Sequence, residues 1–337
     1  MTKRFLAQAA LVAAAISVCA LPLVAGQAGA PARGAQAPAG AGGGRGGRGG
    51  GFGGGGGIKV LLITKGHPFD REPFFLLFDQ PPVGADARWT HVEQPAAEAF
   101  FDPALAKDYD VFVFYDLDGS QPDRRHPAVD KAGKPATNKD GSPAFSWDPP
   151  SAELQKNMKA LLQQGKPMVF LHHSIASWVH SWPEYVEVVG GACDWGQPIK
   201  IRGVEHPKSG FFGKTHQHIT VVDKTHPITQ GLGDGFDIVD EAYSCPMFEQ
   251  SVHPLLRTDF VPKDHDLNLN PKTKFSNLAG WVKTAENSPV VYIQMGHDRE
   301  AWENPSYRTL VDNAIKWAAS PDAMTWAKQN PTKIFKK

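Results

Sequence analysis

Short apolar runs that end in a glycine, a histidine or an acidic residue recur through the first half of the chain. Four of them are predicted strands: "IKVLLIT" (58–64), "RWTHVE" (88–93), "YDVFVFYDL" (109–117) and "PMVFLHH" (167–173). Near-continuous apolar strands are typical of a parallel sheet that is covered on both faces. The pattern therefore predicts buried strands whose ends carry polar side chains.

Segments with helical spacing lie between these strands. They are "REPFFLLFDQ" (71–80), "SAELQKNMKALLQQGK" (151–166) and "SIASWVHSWPEYVEVVGG" (174–191). The second is the clearest, because Ser151 can cap its start and Gly165 can close its end. At the start of the third, Ser174 is also predicted as a cap. Alternating strands and helices indicate a wound α/β sheet, in which ligands bind at the carboxyl ends of the strands.

The second half of the chain is richer in predicted strands. These are "KTHQHITVVD" (214–223), "FDIVDEAYS" (236–244), "HPLLRT" (253–258), "NLAGWVK" (277–283) and "PVVYIQMGHD" (289–298), followed by a last helix, "YRTLVDNAIKWAAS" (307–320). The polar stretch 121–150 reads as a loop insert. One α/β domain over 58–320 with an extra β-rich section is expected, and 321–337 is expected to be a C-terminal tail.

The N-terminus has the layout of a secretory signal: Lys3 and Arg4, an apolar run, and small residues up to about 30. Residues 31–57 form a glycine-rich linker. We expect a periplasmic or secreted protein with no membrane attachment after signal cleavage, and a retained anchor is the alternative. Export permits a disulfide between Cys193 and Cys245, but the sequence leaves free thiols equally open.

Composition excludes few classes of function. The chain has 35 Lys+Arg and 35 Asp+Glu, so charge gives no reason to expect nucleic-acid binding. Outside the glycine-rich linker, "GxGxxG" is absent, and P-loop, "GxSxG" and "HExxH" patterns are absent from the chain. We expect a small-molecule partner, and association with further copies of the chain stays open.

Candidate chemistry follows the strand ends. His67 comes after the first strand, His172 and His173 after the fourth, Glu241 lies in "VDEAY", and His297 follows the last strand. If these strands share one sheet, the side chains line one cleft. Adjacent residues of a strand point to opposite faces, so His172 and His173 can share the cleft only where the strand has ended; His173 is expected to be the more exposed.

Two further patterns are less specific. His216 and His218 lie on one face of a predicted strand and form a low-specificity metal pair, for which a solvent-facing strand is the plainer interpretation. Zinc or another divalent ion is the only cofactor that the sequence suggests. Aromatic side chains crowd the same loops, and rings beside acids and histidines are typical of sugar sites as well as of cores. The predicted substrate-binding residues are His172, Trp178, Tyr243, Asp298 and Trp302.

The ordered motifs "GH" after the first strand, "VFLHHS…W", "HPITQGL…F…DEAY" and "VVYIQMGHD…W" resemble the ThuA-like (trehalose utilisation) family. This resemblance extends from about 58 to 320. It implies a flavodoxin-like, mostly parallel sheet flanked by helices, as in class I glutamine amidotransferases, and a link to carbohydrate metabolism. It also implies that His67, His173, Glu241 and His297 share a pocket. Glutamine hydrolysis is not expected, because "HHS" stands where an amidotransferase has its cysteine.

Three functions follow as hypotheses. The first is an exported enzyme that uses His67, His173, Glu241 and His297 for proton transfer on a keto-sugar or glycoside, by isomerisation, elimination or hydrolysis. In it, His173 or Glu241 is the base, His297 the acid and His67 an orienting group. The second is a non-catalytic carbohydrate-binding protein. The third is a metal-dependent hydrolase of another small substrate.

Overall fold

The computed structural model describes residues 55–138, 141–262 and 276–335. The strands there are β1 (Ile58–Lys65), β2 (Ala87–Glu93), β3 (Val111–Asp116), β4 (Arg125–Pro127), β5 (Phe145–Trp147), β6 (Met168–Leu171), β7 (Ile199–Ile201), β8 (Val204–His206), β9 (Gly210–Val221), β10 (Gly235–Ser244), β11 (His253–Thr258), β12 (Leu278–Ala285) and β13 (Ser288–Ile293). The α-helices are α1 (Arg71–Asp79), α2 (Val83–Asp86), α3 (Pro103–Ala106), α4 (Ala152–Gln164), α5 (Pro183–Val189), α6 (Arg299–Trp302), α7 (Pro305–Ala318) and α8 (Pro321–Gln329).

Nine strands form one sheet in the order β2-β1-β3-β6-β13-β12-β11-β9-β10. The first five are parallel to one another, and from β12 onward each strand runs antiparallel to its neighbours. The parallel part has the flavodoxin-like order, with the second strand outside the first and the later strands following on the other side. The predicted fold is confirmed, and the β-rich section extends the same sheet.

Both faces of the parallel part are buried, which explains the unbroken apolar runs. In β3, Val113 and Tyr115 face one hydrophobic cluster, whereas Phe112 and Phe114 face another. The first cluster contains α1 and α7, and the second contains α4 and α5. A strand that is covered by helices on both sides can place apolar residues at every position.

Local signals explain the ends of α4. The Ser151 side chain accepts a hydrogen bond from the Leu154 amide at 3.0 Å, and Gly165 closes the helix in the left-handed region at φ +90°. Leu154, Met158 and Leu161 are buried, as their spacing predicts.

The helix predicted over 174–191 is wrong in its first half. A 3₁₀ turn covers His172–Ala176, Trp178 takes a left-handed φ of +57°, and α5 begins only at Pro183. Proline suits the first position of a helix and fits poorly inside one, so the helix starts there. Ser174 is not a helix cap; its Oγ accepts a hydrogen bond from the Asp116 amide at 3.1 Å.

Three other segments can be compared with expectation. The insert 121–150 contains the β4–β5 hairpin. The segment expected as a tail contains α8, which contacts β13 and α7. Cys193 and Cys245 form a disulfide.

The predicted signal segment and most of the linker lie outside the described residues, so export stays a prediction. Among the helices of the described part, none is long and apolar enough to span a bilayer.

Candidate functional site

Four histidines from three strand ends meet in one cluster. The ring centroid of His67, after β1, lies 4.9 Å from that of His173 and 5.2 Å from that of His297. The ring of His172, after β6, lies 5.1 Å from that of His297, which follows β13. Parallel strands deliver their carboxyl ends to one edge of the sheet, and these residues lie there.

Glu241 joins the cluster from β10, in the antiparallel part of the sheet. Its Oε2 lies 3.3 Å from Nε2 of His172 and 3.3 Å from Nδ1 of His297. The two histidine nitrogens are 3.0 Å apart. Three potential ligand atoms, contributed by three different segments, therefore form a compact triangle.

The orientation of His172 is determined by its surroundings. Its Nδ1 donates to the Gln294 carbonyl at 2.8 Å, so the proton lies on that side of the ring. The Tyr243 hydroxyl lies 2.7 Å from Nε2. The backbone of His172 is left-handed, with φ +50°, and its carbonyl accepts from the Tyr292 hydroxyl at 2.9 Å. Packing on all sides holds this uncommon conformation.

The loop that carries His297 is equally well held. Asp240 accepts hydrogen bonds from the amides of Gly296 and His297, at 2.6 and 3.0 Å. The Tyr115 hydroxyl and the Trp302 indole both donate to the Gly296 carbonyl. Gly296 has φ +122°, and a Cβ there would lie 2.3 Å from the Tyr307 hydroxyl oxygen, so glycine is required.

Glu241 and His297 form the charged pair of the site. Burial acts to raise the pKa of Glu241, but its hydrogen bonds with His172 and His297 outweigh burial and hold that pKa well below its usual range. The hydrogen bond with Glu241 raises the pKa of His297 despite the opposing effect of burial. Glu241 is therefore ionised and His297 keeps a proton more readily than an ordinary histidine.

The other two histidines favour the neutral form. Burial, and then the neighbouring His297 and His172, lower the pKa of His67. Burial lowers the pKa of His173 much further, followed by the effects of His172 and His67. Nδ1 of His67 and both ring nitrogens of His173 have no hydrogen-bond partner among the described residues.

Exposure divides the cluster into two layers. His67 and His297 are half-buried, whereas His172 and His173 are buried, with only 1% of His173 exposed. The prediction made His173 the more exposed of the adjacent pair; both side chains are buried, with 0% of His172 and 1% of His173 exposed, and Tyr115 packs on the His173 ring at 4.3 Å. His172, not His173, contacts Glu241 and His297.

A cleft of about 810 Å³ is lined in part by Trp195, and its described lining residues include no member of the histidine–carboxylate cluster. Its lining includes Phe145 and Trp147 from the insert, and Asp194, Trp195 and Gln197. The Trp195 ring lies 5.0 Å from the ring of Tyr243, whose hydroxyl contacts His172. The indole N–H groups of Trp147 and Trp195 are buried and lack an acceptor among the described residues.

Three predicted substrate-binding residues lie elsewhere or act indirectly. Trp178 is 2% exposed and is covered by the Arg124 guanidinium at 4.5 Å. Trp302 is 1% exposed and supports the Gly296 carbonyl. Asp298 caps α6 through the Glu300 amide. A buried indole presents no ring face to a sugar, so neither tryptophan can stack on one here.

The predicted metal pair on β9 is solvent-facing. His216 and His218 are exposed, and His218 pairs with Asp237 at 2.7 Å. Within the described part of the chain, only His172, Glu241 and His297 bring three potential ligands together. Metal binding at His216 and His218 stays a prediction.

Sequence reasoning did not predict how several residues support the site. Tyr115 and Asp240 hold the His297 loop, the Gln294 carbonyl sets the tautomer of His172, and Trp195 links the cleft to Tyr243. The motif "VDEAY" shows in the sequence that carboxylates are present. The hydrogen bonds that Asp240 and the Gln294 carbonyl make are set by the fold and cannot be read from the sequence.

These features define a wound α/β protein with a histidine–carboxylate site at the carboxyl edge of its sheet. The ThuA family model, described as trehalose utilisation, matches residues 144–318, just over half of the chain. The chain belongs to the ThuA family.

A solved structure with a TM-score above 0.5 supports this fold. A ThuA-like protein from Parabacteroides merdae is 15% identical, with a TM-score of 0.52; the match covers 78% of this chain and 90% of that one. A ThuA-like protein from Bacteroides uniformis is 17% identical, with a TM-score of 0.45 and coverage of 81% and 94%. No curated protein matches the sequence.

Proposed function

We propose that this protein is an enzyme that transfers a proton on a carbohydrate, with a keto-sugar or keto-glycoside as substrate. The observation that carries the proposal is the pairing of two half-buried histidines, His67 and His297, whose rings lie 5.2 Å apart; burial lowers the pKa of His67, and the hydrogen bond with Glu241 raises the pKa of His297. Membership of a family described as trehalose utilisation supports the substrate class.

The reaction needs a base, and His67 suits this role best. Its lowered pKa keeps it unprotonated at neutral pH, and its Nδ1 has no partner among the described residues. His173 is also neutral, but its side chain is buried. Glu241 is tied to two histidines. In this proposal the base is therefore His67.

The proton transfer can be written as a balanced step. A keto group acidifies the neighbouring C–H bond, and an imidazole nitrogen of His67 takes that proton. The C–H electron pair forms a C=C bond, and the carbonyl π pair moves to oxygen, which takes the proton of His297. The products are an enediol, protonated His67 and neutral His297. His67 then returns its proton to the former carbonyl carbon, while the hydroxyl group on the neighbouring carbon gives its proton to neutral His297; the product is an isomer, and both histidines regain their starting states.

Glu241 keeps this cycle favourable. Its carboxylate stabilises the protonated form of His297 and so favours the return of a proton to His297 at the end of each turnover. The Tyr243 hydroxyl lies 2.7 Å from Nε2 of His172 and holds this histidine beside the Glu241 carboxylate.

The cleft is the proposed binding site for the sugar. Trp147 and Trp195 offer aromatic surface, their buried indole N–H groups have no acceptor among the described residues, and Asp194 and Gln197 add polar groups beside them. Aromatic faces pack on the apolar faces of sugars, while hydroxyl groups take the hydrogen bonds.

Turnover of trehalose and of 3-keto-trehalose, followed by chromatography, tests the function. We expect the wild type to convert the keto compound, and His67→Ala and His297→Gln to be slower by 10²-fold or more, the usual contribution of a general acid or base. His216→Ala/His218→Ala, a matched pair of exposed histidines, should retain the wild-type rate. Binding of the keto compound without conversion would refute an enzyme and favour a carbohydrate-binding protein.

A further inference from the structure

We propose that His172, Glu241 and His297 form a binding site for one divalent transition-metal ion, with zinc as the best-suited ion. The proposal concerns the same site as the proposed function. It rests on that function only in assigning the ion a substrate oxygen to polarise.

The distances match a metal site. The three ligand atoms are separated by 3.0, 3.3 and 3.3 Å. Ligands at the 2.0–2.1 Å typical of zinc–nitrogen and zinc–oxygen bonds lie about 3.3 Å apart in a tetrahedron. The triangle therefore has nearly the dimensions of one face of a tetrahedral zinc site.

Hydrogen bonding alone accounts poorly for the arrangement. Three polar groups approach Nε2 of His172: the Tyr243 hydroxyl at 2.7 Å, Nδ1 of His297 at 3.0 Å and Oε2 of Glu241 at 3.3 Å. Nε2 has one in-plane position, for either a proton or a lone pair, and so it can make only one good hydrogen bond among these three groups. A cation at the centre of the triangle would bind Nε2 of His172, Nδ1 of His297 and Oε2 of Glu241 at the same time.

The groups around the ligands are those that metal sites use. The Gln294 carbonyl accepts from Nδ1 of His172 and leaves Nε2 free to coordinate. Metal-bound histidines generally donate their second N–H to such a carbonyl or carboxylate. Asp240 holds the His297 backbone, and the strained His172 backbone is fixed by packing. The ligands are thus held in position before any ion binds.

The ligand set also indicates the type of site. Two imidazoles and one carboxylate suit zinc and other borderline divalent ions. Three protein ligands, with a further position for water or substrate, are typical of catalytic rather than structural zinc. When bound, the ion would polarise a carbonyl oxygen, which is the electrophilic role that protonated His297 has in the metal-free protein.

Metal binding can be measured without any sugar. The full-length chain, stripped with chelator and dialysed, would be titrated with ZnCl₂ by calorimetry, and bound zinc would be counted by elemental analysis. We expect one ion per chain in the wild type and in His216→Ala/His218→Ala. Glu241→Gln and His297→Ala should bind at least about 100-fold more weakly, and Asp240→Asn about 10- to 100-fold more weakly, as typical for a residue behind the ligands.

Circular dichroism of each stripped variant separates loss of the site from loss of the fold, and a variant that does not fold is replaced by His172→Gln. Equal zinc affinity in the wild type and in folded Glu241→Gln would overturn the proposal, as would loss of zinc in the β9 double variant. A metal site without sugar turnover would refute only the proposed function. Turnover without zinc binding would refute only this inference.

Discussion

At the scale of single residues, two buried side chains beside the cluster are incompletely hydrogen-bonded. Asp116 and His173 are both fully buried; Oδ1 of Asp116 and both ring nitrogens of His173 have no partner among the described residues. Burial of a carboxylate without full compensation is costly, and the group then binds a proton instead. Burial, and then Asp118, raise the pKa of Asp116 to about 7.

This shift predicts a pH-dependent stability. The folded protein holds the Asp116 proton up to about pH 7, whereas the unfolded chain releases it near 3.8, so stability falls as pH rises between these values. Asp116→Asn removes this dependence. Its free energy of unfolding, measured with urea, should rise relative to wild type by on the order of 4 kcal/mol between pH 4 and pH 8.

The control is Asp123→Asn, which replaces an exposed carboxylate of the same segment. It should follow the wild-type curve. A constant difference between Asp116→Asn and wild type at all pH values would contradict a raised pKa at Asp116.

At the scale of elements, strand ends and loops carry the site, and long-range links hold those loops. The disulfide between Cys193 and Cys245 joins the segment after α5 to the end of β10, two residues beyond Tyr243. Asp240 and Tyr115 hold the loop after β13. The parallel strands provide all four histidines of the cluster, and the antiparallel extension provides Glu241.

The disulfide closes a separation of 52 residues. Restricting the unfolded chain by a loop of that length stabilises a protein by about 4 kcal/mol in the chain-entropy model. Cys193→Ser/Cys245→Ser should lose about that much in guanidinium unfolding. Reductant should lower the stability of the wild type by a similar amount and leave the double variant unchanged; no response of the wild type would show that the bond contributes little.

At the scale of the whole molecule, the sheet was predictable and the pocket only partly so. Apolar runs, and caps such as Ser151, follow local rules, and they gave the strands and α4 correctly. The depth of His173 and the burial of Trp178 depend on packing by segments far away in sequence, which no local pattern contains. In the sequence, Pro183 is the one signal that the helix predicted over 174–191 begins later than expected.

Distance along the sequence also explains why the His216–His218 pair could be predicted as a metal site and the triangle of His172, Glu241 and His297 could not. His216 and His218 are two apart in sequence, so they could be paired by strand periodicity. His172 and His297 are joined by a contact over 125 residues, and Glu241 comes from a third element. Motif order pointed to these residues, but their tight triangle could be seen only in the fold.

The central claim is that His67 and His297 transfer a proton at one carbohydrate site. The most direct measurement is deuterium uptake from D₂O at the carbon beside the keto group of 3-keto-trehalose, followed by NMR. Wild-type protein should exchange this hydrogen far faster than buffer alone, and His67→Ala should exchange it 10²-fold or more slowly than wild type. Exchange by the wild type at the buffer rate, or an unchanged rate in His67→Ala, would contradict the claim.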